Sequence, residues 1–467
     1  MSAPAQGRPS YAAALRVPYA RRTFGAALLG RLSYGMVVLS LMLAVTRATG
    51  SYAVAGTVMA LFGATSVFLS PIRAGFVDRH GPRPALLPMA LLYAALLCAL
   101  AAASWRPGAP AVLLGVLAAA AGAVTPPLGP AMRAIWRELT PEQALLQRAY
   151  SLDGVAEEVL FVSGPLVVGV LVQIAPPAAG VLVSALLVGV GTFAFVMSPA
   201  VRDVRPAAVA ETSARSGARL PAARALLTPA LVAGGVGLSL GAVNLLVLAF
   251  AAARHHGDDV VAWVLAALSA GSAVGGLLNG AVNWRSGARV RLPLLAAGFG
   301  LAVAAAGLAP GVWVLTGAVA CAGFFVAPAL TTAYLLADEV APPGRRTQAG
   351  AWVNTAVNAG ISGGTAAAGL LAARLPLGAC FALAGGVTVL AAVACSRRNP
   401  KPAGPTIGEG SLFTQEPADG EDPSAASAAS AASAASAASA APPGSPCAQG
   451  TGPSSSAAEA PESPRQS

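Results

Sequence analysis

Arg31, Asp153, Glu157 and Glu158 fall inside long apolar stretches of this 467-residue chain. At the centre of a membrane-spanning helix each such charge costs about 2.5–3.5 kcal/mol, so each needs a partner or a task. At about 100° per residue, Asp153 and Glu157 lie about 40° apart on one helix face, while Glu158 points about 140° from Asp153. Two ionised carboxylates on one face repel, so one of them holds a proton or a cation stands close by. Arg31 lies about 10 Å inside its stretch and Asp153 about 6 Å inside its own, at 1.5 Å per residue, depths close enough to let them pair. Two readings are open. Glu157, or Glu158 if it faces a cavity, carries a coupling proton with Asp153 and Arg31 tuning it; or the charges form a structural ion-pair cluster between two helices.

Neutral polar residues offer weaker chemistry. Asn354 and Asn358 share one apolar stretch and Asn244 lies in another, where each would bind a polar substrate or satisfy neighbouring helices. Tyr150 and Trp352, near the starts of their stretches, read as anchors at the membrane interface. Neither the five cysteines nor His80, His255 and His256 show metal-ligand spacing, so no metal site is expected. No Walker loop occurs and Lys401 is the only lysine, so the chain does not hydrolyse nucleotide and no cofactor is expected.

The elements that position these residues follow from composition. With 56% hydrophobic and 10% charged residues, against about 25% charged in soluble proteins, an ordinary soluble domain is excluded. Apolar runs cover 24–46, 52–72, 84–104, 110–132, 149–174, 177–197, 228–253, 260–283, 292–309, 311–336, 348–373 and 377–395. Most are long enough to cross a hydrocarbon core of about 30 Å, which predicts an all-α integral membrane protein of about twelve transmembrane helices. Arginines crowd the N-terminus and alternate connections (among them Arg73, Arg133, Arg148 and Arg291), whereas the other side holds only Arg47, Arg106, Arg254 and Arg374. This bias places both termini in the cytoplasm, with the chain multi-pass in the cell membrane. It also accounts for the net charge of +10 without nucleic acid, because the charge forms no single patch.

The longest polar connection divides the chain. The expected organisation is a cytoplasmic segment at 1–22, a six-helix half at 23–197, a cytoplasmic linker at 198–227, a second six-helix half at 228–395 and a tail at 396–467. The tail's Ser/Ala repeat has no apolar face to bury and reads as disordered and low in complexity. A shift of 201 residues aligns the stretch starting at Ala121 with that starting at Ala322, placing Asp153 on Asn354 and Glu157 on Asn358. The stretch from Gly75 likewise resembles that from Gly280. The halves therefore read as pseudo-symmetric repeats with a substrate site between them near the midplane.

The connection GFVDRHGPRP resembles the signature loop of the major facilitator superfamily: Gly75, Asp78, Arg79, Gly81 and Arg83 match, while Pro82 stands where a basic residue is usual. The resemblance covers about residues 20–400 and implies the superfamily's two-half fold, with this loop as a cytoplasmic gate. Asp78 and the arginines would latch onto the other half and hold the outward-open state. Gly154, Gly164, Pro165 and Gly169 in the fifth run resemble the family's antiporter signature with one residue inserted, and fit a kinked, closely packed helix.

The expected function is secondary transport by alternating access: proton-coupled export of a small organic compound, a drug or metabolite, by a monomer in the lipid bilayer. The alternatives are an importer of the same fold and a non-transporting sensor or scaffold. A membrane-embedded enzyme holding a magnesium diphosphate would want facing acidic clusters, and Asn354 and Asn358 stand where the second cluster would be.

Overall fold

The computed structural model describes residues 11–202, 219–255, 257–342 and 344–398. Residues 1–10, most of the expected linker and the expected tail from 399 onward lie outside the described residues. Among the described residues all regular structure is helical. The first half contains α1 (Tyr11–Arg16), α2 (Ala20–Thr49), α3 (Tyr52–Phe68), α4 (Ser70–His80), α5 (Pro82–Ala103), α6 (Ala111–Val124), α7 (Leu128–Leu139), α8 (Gln143–Leu171), α9 (Pro177–Val196) and the short α10 (Pro199–Arg202). The second contains α11 (Arg219–Ala253), α12 (Asp258–Ala281), α13 (Ala288–Ala306), α14 (Val312–Val340), α15 (Arg346–Ala372) and α16 (Leu377–Arg398). Helix α11 begins inside the segment expected to be linker.

Each of the twelve expected runs falls on a helix or a pair of helices. Among the described residues ten helical stretches, with α6 and α7 taken together, are long and apolar enough to cross a membrane, and the α3–α4 pair, bent by 41°, makes eleven. The remaining run is α15, whose 27 residues give about 40 Å of helix. Asn, Thr, Ser and Gly interrupt its apolar residues.

Proline and glycine set the breaks. Gly50 ends α2 in the left-handed region at φ 68°, its N–H bonding the Thr46 carbonyl, and Pro71 opens α4 after the bend. Pro126 and Pro127 separate α6 from α7, whereas the lone Pro328 is absorbed inside the continuous α14. Freed carbonyls in a bilayer must find other donors. Arg73 supplies them, its guanidinium donating to the carbonyls of Gly122 (2.7 Å), Ala123 (2.9 Å) and Ser66 (2.6 Å). The Tyr34 hydroxyl donates to Pro126 at 2.6 Å.

Several arginines assigned to connections by sequence lie on helices instead, and four of them are buried. Arg73, Arg133, Arg148 and Arg291 are buried side chains of α4, α7, α8 and α13. Each lies near an end of an apolar run, where the helix continues past the run's edge.

Packing within each half uses small residues, as expected where lipid is as apolar as the helices themselves. A Cβ on Gly191 of α9 would fall 2.2 Å from the Gly30 nitrogen of α2. Among the described residues the buried apolar side chains form two clusters. One runs through both halves; the other, from Val37 to Val188, belongs to the first half alone. The halves are therefore joined by apolar packing over part of their length.

Candidate functional site

The two ionised helices of the sequence meet in the first half. Arg31 of α2 donates through Nη1 to Asp153 Oδ1 of α8 at 2.6 Å, and its Nη2 stands 3.1 Å from Glu157 Oε2. Arg133 of α7 completes the arrangement, donating through Nη2 to Glu157 Oε2 at 2.6 Å with Nε 2.9 Å from Asp153 Oδ2. Two guanidiniums and two carboxylates alternate, so the quartet is neutral. Asp153 is fully buried, while the Glu157 side chain keeps 31% of its surface exposed. The single-turn spacing of Asp153 and Glu157 lets both acids face the same two cations.

Arg133 also links the halves. Its guanidinium lies 3.8 Å from the centroid of the Tyr334 ring on α14, a cation–π contact. The Tyr334 hydroxyl approaches Asn354 Oδ1 of α15 at 3.4 Å, and Tyr150 donates to the Arg133 carbonyl at 3.1 Å. Tyr150 is buried, so it is part of this layer and not the interfacial anchor expected; Trp352 is half exposed and does not line the cavity.

Beside this layer is a cavity of about 400 Å³ between the halves, lined by α7, α8, α11, α12, α14 and α15. Glu157, Glu158, Asn244, Asn354 and Asn358 all face it, with Gly154; Arg31 and Asp153 stand behind. Glu158 accepts a hydrogen bond from the Ser272 hydroxyl of α12 at 3.0 Å, and among the described residues it has no ion pair. Asn358 donates to the Asn354 carbonyl at 2.8 Å.

Residues 75–83, expected to be a loop, lie on the end of α4 and the start of α5 with only Gly81 between them, and at this end the halves are tied together. Asp78 accepts from the backbone N–H groups of Thr347 (3.1 Å) and Gln348 (2.8 Å) in the first turn of α15, where free donors and the helix dipole favour a carboxylate. Gly75 leaves room for the Gln348 side chain, which would stand 3.0 Å from a Cβ there. Gly81 takes φ 89° between α4 and α5, a left-handed turn that favours glycine. Arg79 and Arg83 are exposed and, among the described residues, make no ion pair, so the contact to the other half is carried by Asp78 and not by the arginines. Arg346 pairs with Glu138 at 2.9 Å, and Arg137 with Asp338 at 3.4 Å. Gln147 donates to the Asn279 carbonyl (2.7 Å), and Arg148 to Asn283 (2.7 Å). The Tyr11 hydroxyl of α1 donates to the Leu277 carbonyl of α12.

The glycines and proline of α8 divide. A Cβ on Gly164 would lie 2.5 Å from the Gly35 carbonyl carbon of α2, and one on Gly154 3.6 Å from Thr331 Oγ1. Gly169 meets nothing within 4 Å, and Pro165 is exposed. The expected close packing therefore holds at Gly164, while Pro165 and Gly169 point away from the neighbouring helices.

The sequence model of the Major Facilitator Superfamily matches residues 23–253 and 230–442. The chain belongs to this superfamily. Comparison with curated protein sequences gives no match. The human organic anion transporter MFSD10 is similar in structure, with a TM-score of 0.63 at 16% identity over 81% of this chain and 99% of that one. An outward-facing bacterial homologue of the iron transporter ferroportin gives 0.60 at 15% identity, over 81% and 97%. The fucose:proton symporter of E. coli gives 0.60 at 18%, over 82% and 99%. Likeness at these identities shows the shared fold; with the family match it makes the chain a multi-pass membrane transporter.

Arg133, Tyr334 and Ser272 were missed by sequence reasoning. Arg133 falls one residue beyond an apolar run, and Ser272 has no chemical signature. The repeat held a usable signal: the 201-residue shift places Arg133 on Tyr334, which lies inside the run 311–336. Position 133 is therefore within a span by symmetry.

Proposed function

We propose that the chain is a proton-coupled exporter of small organic compounds, working by alternating access as a monomer in the cell membrane with both termini in the cytoplasm. No enzymatic step is involved. The observation that carries this reading is the unequal treatment of neighbouring acids: Glu157 is held by two guanidiniums, whereas Glu158 faces the same cavity with only a serine hydroxyl. Protonation of Glu157 would unbalance a neutral quartet. Protonation of Glu158 removes an uncompensated charge, which makes Glu158 the group suited to load and release a proton.

With the arginine-rich side in the cytoplasm, the ties at Asp78, Arg137, Arg346 and Gln147 close the cytoplasmic end. The conformation is then outward-facing. Glu158 takes a proton from the outside; its bond to Ser272 on α12 loosens as the carboxylate is neutralised; the cytoplasmic ties part, and the proton leaves to the cytoplasm as cargo enters. The quartet lies wholly within the first half, so this rocking breaks none of its ion pairs.

The test compares exported and retained metabolites in cells lacking and overproducing the protein, with and without a protonophore. The reading expects at least one compound to shift outward on overproduction and to stop shifting when the proton gradient is collapsed. Unchanged pools over a broad panel, or a shift that ignores the protonophore, would contradict it.

A further inference from the structure

We infer that the cargo of this cavity is an amphiphilic organic monocation, with the Glu158 carboxylate as its charge partner. The inference rests on the cavity being the cargo site of the transporter.

The charge count leads there. Of the residues lining the cavity, Arg133, Glu157 and Glu158 are the charged ones, and the rest are Asn, Ser, Thr, Tyr, Gly or apolar side chains. Arg133 and Glu157 are consumed in the quartet with Arg31 and Asp153, through four contacts of 2.6–3.1 Å. What remains is one negative charge on Glu158. Its recorded partner, Ser272 Oγ at 3.0 Å, supplies one hydrogen bond and no charge, and a carboxylate can accept several more. A cation satisfies it. An anion would be repelled by Glu158 and would find both guanidiniums already engaged.

Shape and polarity add the rest. A volume of about 400 Å³ lies in the range that holds a drug-sized ligand. Phe161, Leu268, Leu330 and Ile361 give the cavity apolar walls from both halves, while Asn244 and Asn358 supply uncharged polar contacts. The Tyr334 ring already carries Arg133 over it, so the positive charge of a ligand is directed to Glu158. The ligand class that fits is an apolar body bearing one positive charge.

Tetraphenylphosphonium and tetraphenylborate have the same shape and opposite charge, so they isolate the charge effect. Their equilibrium binding to the purified full-length protein in detergent is measured for wild type, Glu158→Gln and Glu158→Asp, each checked for a monodisperse elution profile. The inference expects wild type to prefer the phosphonium at least tenfold, Glu158→Gln to lose at least tenfold in phosphonium affinity and to discriminate little, and Glu158→Asp to keep the preference. Equal binding of the two probes by wild type, a preference for the borate, or an unchanged affinity in Glu158→Gln overturns it. The wild-type preference needs no variant and decides the matter even if Glu158→Gln does not fold. Proton-driven flux in liposomes from the same preparation is read separately. Flux without cation preference sinks this inference alone, whereas cation binding without any flux sinks the transport reading and leaves the cavity a cation site that is not a cargo site.

Discussion

Helices α8 and α15 occupy equivalent places in the two halves, and their bounds correspond closely under the 201-residue shift. Asp153 and Glu157 of α8 become Asn354 and Asn358 of α15, and Arg133 of α7 becomes Tyr334 of α14. In the first half the equivalent side chains form ion pairs at 2.6 and 2.9 Å. In the second the same positions form a long neutral contact of 3.4 Å between Tyr334 and Asn354. The first half is bolted internally by charge. The second lacks these pairs and relies on the close backbone approach that both halves share: a Cβ on Gly241 of α11 would fall 2.0 Å from the Ile361 carbonyl oxygen of α15.

The difference teaches how a charged core can coexist with motion. Breaking a buried pair by removing one partner costs about 3–5 kcal/mol, a cost the quartet does not meet when the halves move. Here both cations and both acids belong to one half, and what crosses to the other half near this level is a cation–π contact, the Ser272–Glu158 hydrogen bond and neutral hydrogen bonds from Thr355 to the Val67 carbonyl and from Asn279 to Ser151. Such contacts are worth about 0.5–3 kcal/mol each and can be exchanged.

Substitutions can break or sharpen the contrast. The largest effect is expected at Asp153→Asn, which gives α8 the residue of α15 but leaves two buried guanidiniums with one acid; it should lower stability by about 3–5 kcal/mol, whereas Asn354→Ala should cost about 1 kcal/mol or less. Thermal unfolding in detergent reads both, and equal losses would erase the distinction between charged and neutral halves. Next comes Gly241→Ala, where the added methyl meets the Ile361 carbonyl and overpacking should cost about 1–3 kcal/mol. Gly169→Ala on α8 meets open space and should be neutral or stabilising by up to about 1 kcal/mol through helix propensity.

A smaller effect is expected at the tie between the halves. Asp78→Asn removes a charge from the N-terminus of α15, a loss of about 0.3–1 kcal/mol. The closed population should fall about two- to fivefold relative to the open one. Labelling of a cysteine placed on the cavity wall, with an impermeant maleimide applied from the cytoplasmic side, measures that shift; unchanged labelling would mean that Asp78 does not hold this end shut. The smallest effect belongs to Tyr334→Phe. It removes a 3.4 Å contact but keeps the ring under Arg133, and stability should change by about 0.5 kcal/mol or less.

The twelve apolar runs made the fold legible, because span length and hydropathy are local properties. The Arg31–Asp153 pairing was legible too, since comparable depth on two helices can be counted along the chain. Arg133 was not, because the prolines at 126 and 127 restart the helix and carry it past the edge of the apolar run. The choice between Glu157 and Glu158 was also closed to sequence. Helical periodicity gives the angle between them but not which neighbours fill each direction, and that depends on α2 and α7 on one side and α12 on the other.

The central claim is that Glu157 is a fixed member of a neutral quartet and that Glu158 is the acid that takes up a proton. Infrared difference spectra of the purified protein between alkaline and acid pH report the band of a newly protonated carboxyl group. The account predicts that the component of a buried carboxyl group, apart from the bands of the solvent-exposed acids, persists in Glu157→Gln and disappears in Glu158→Gln. Its loss in Glu157→Gln with retention in Glu158→Gln would contradict the claim directly.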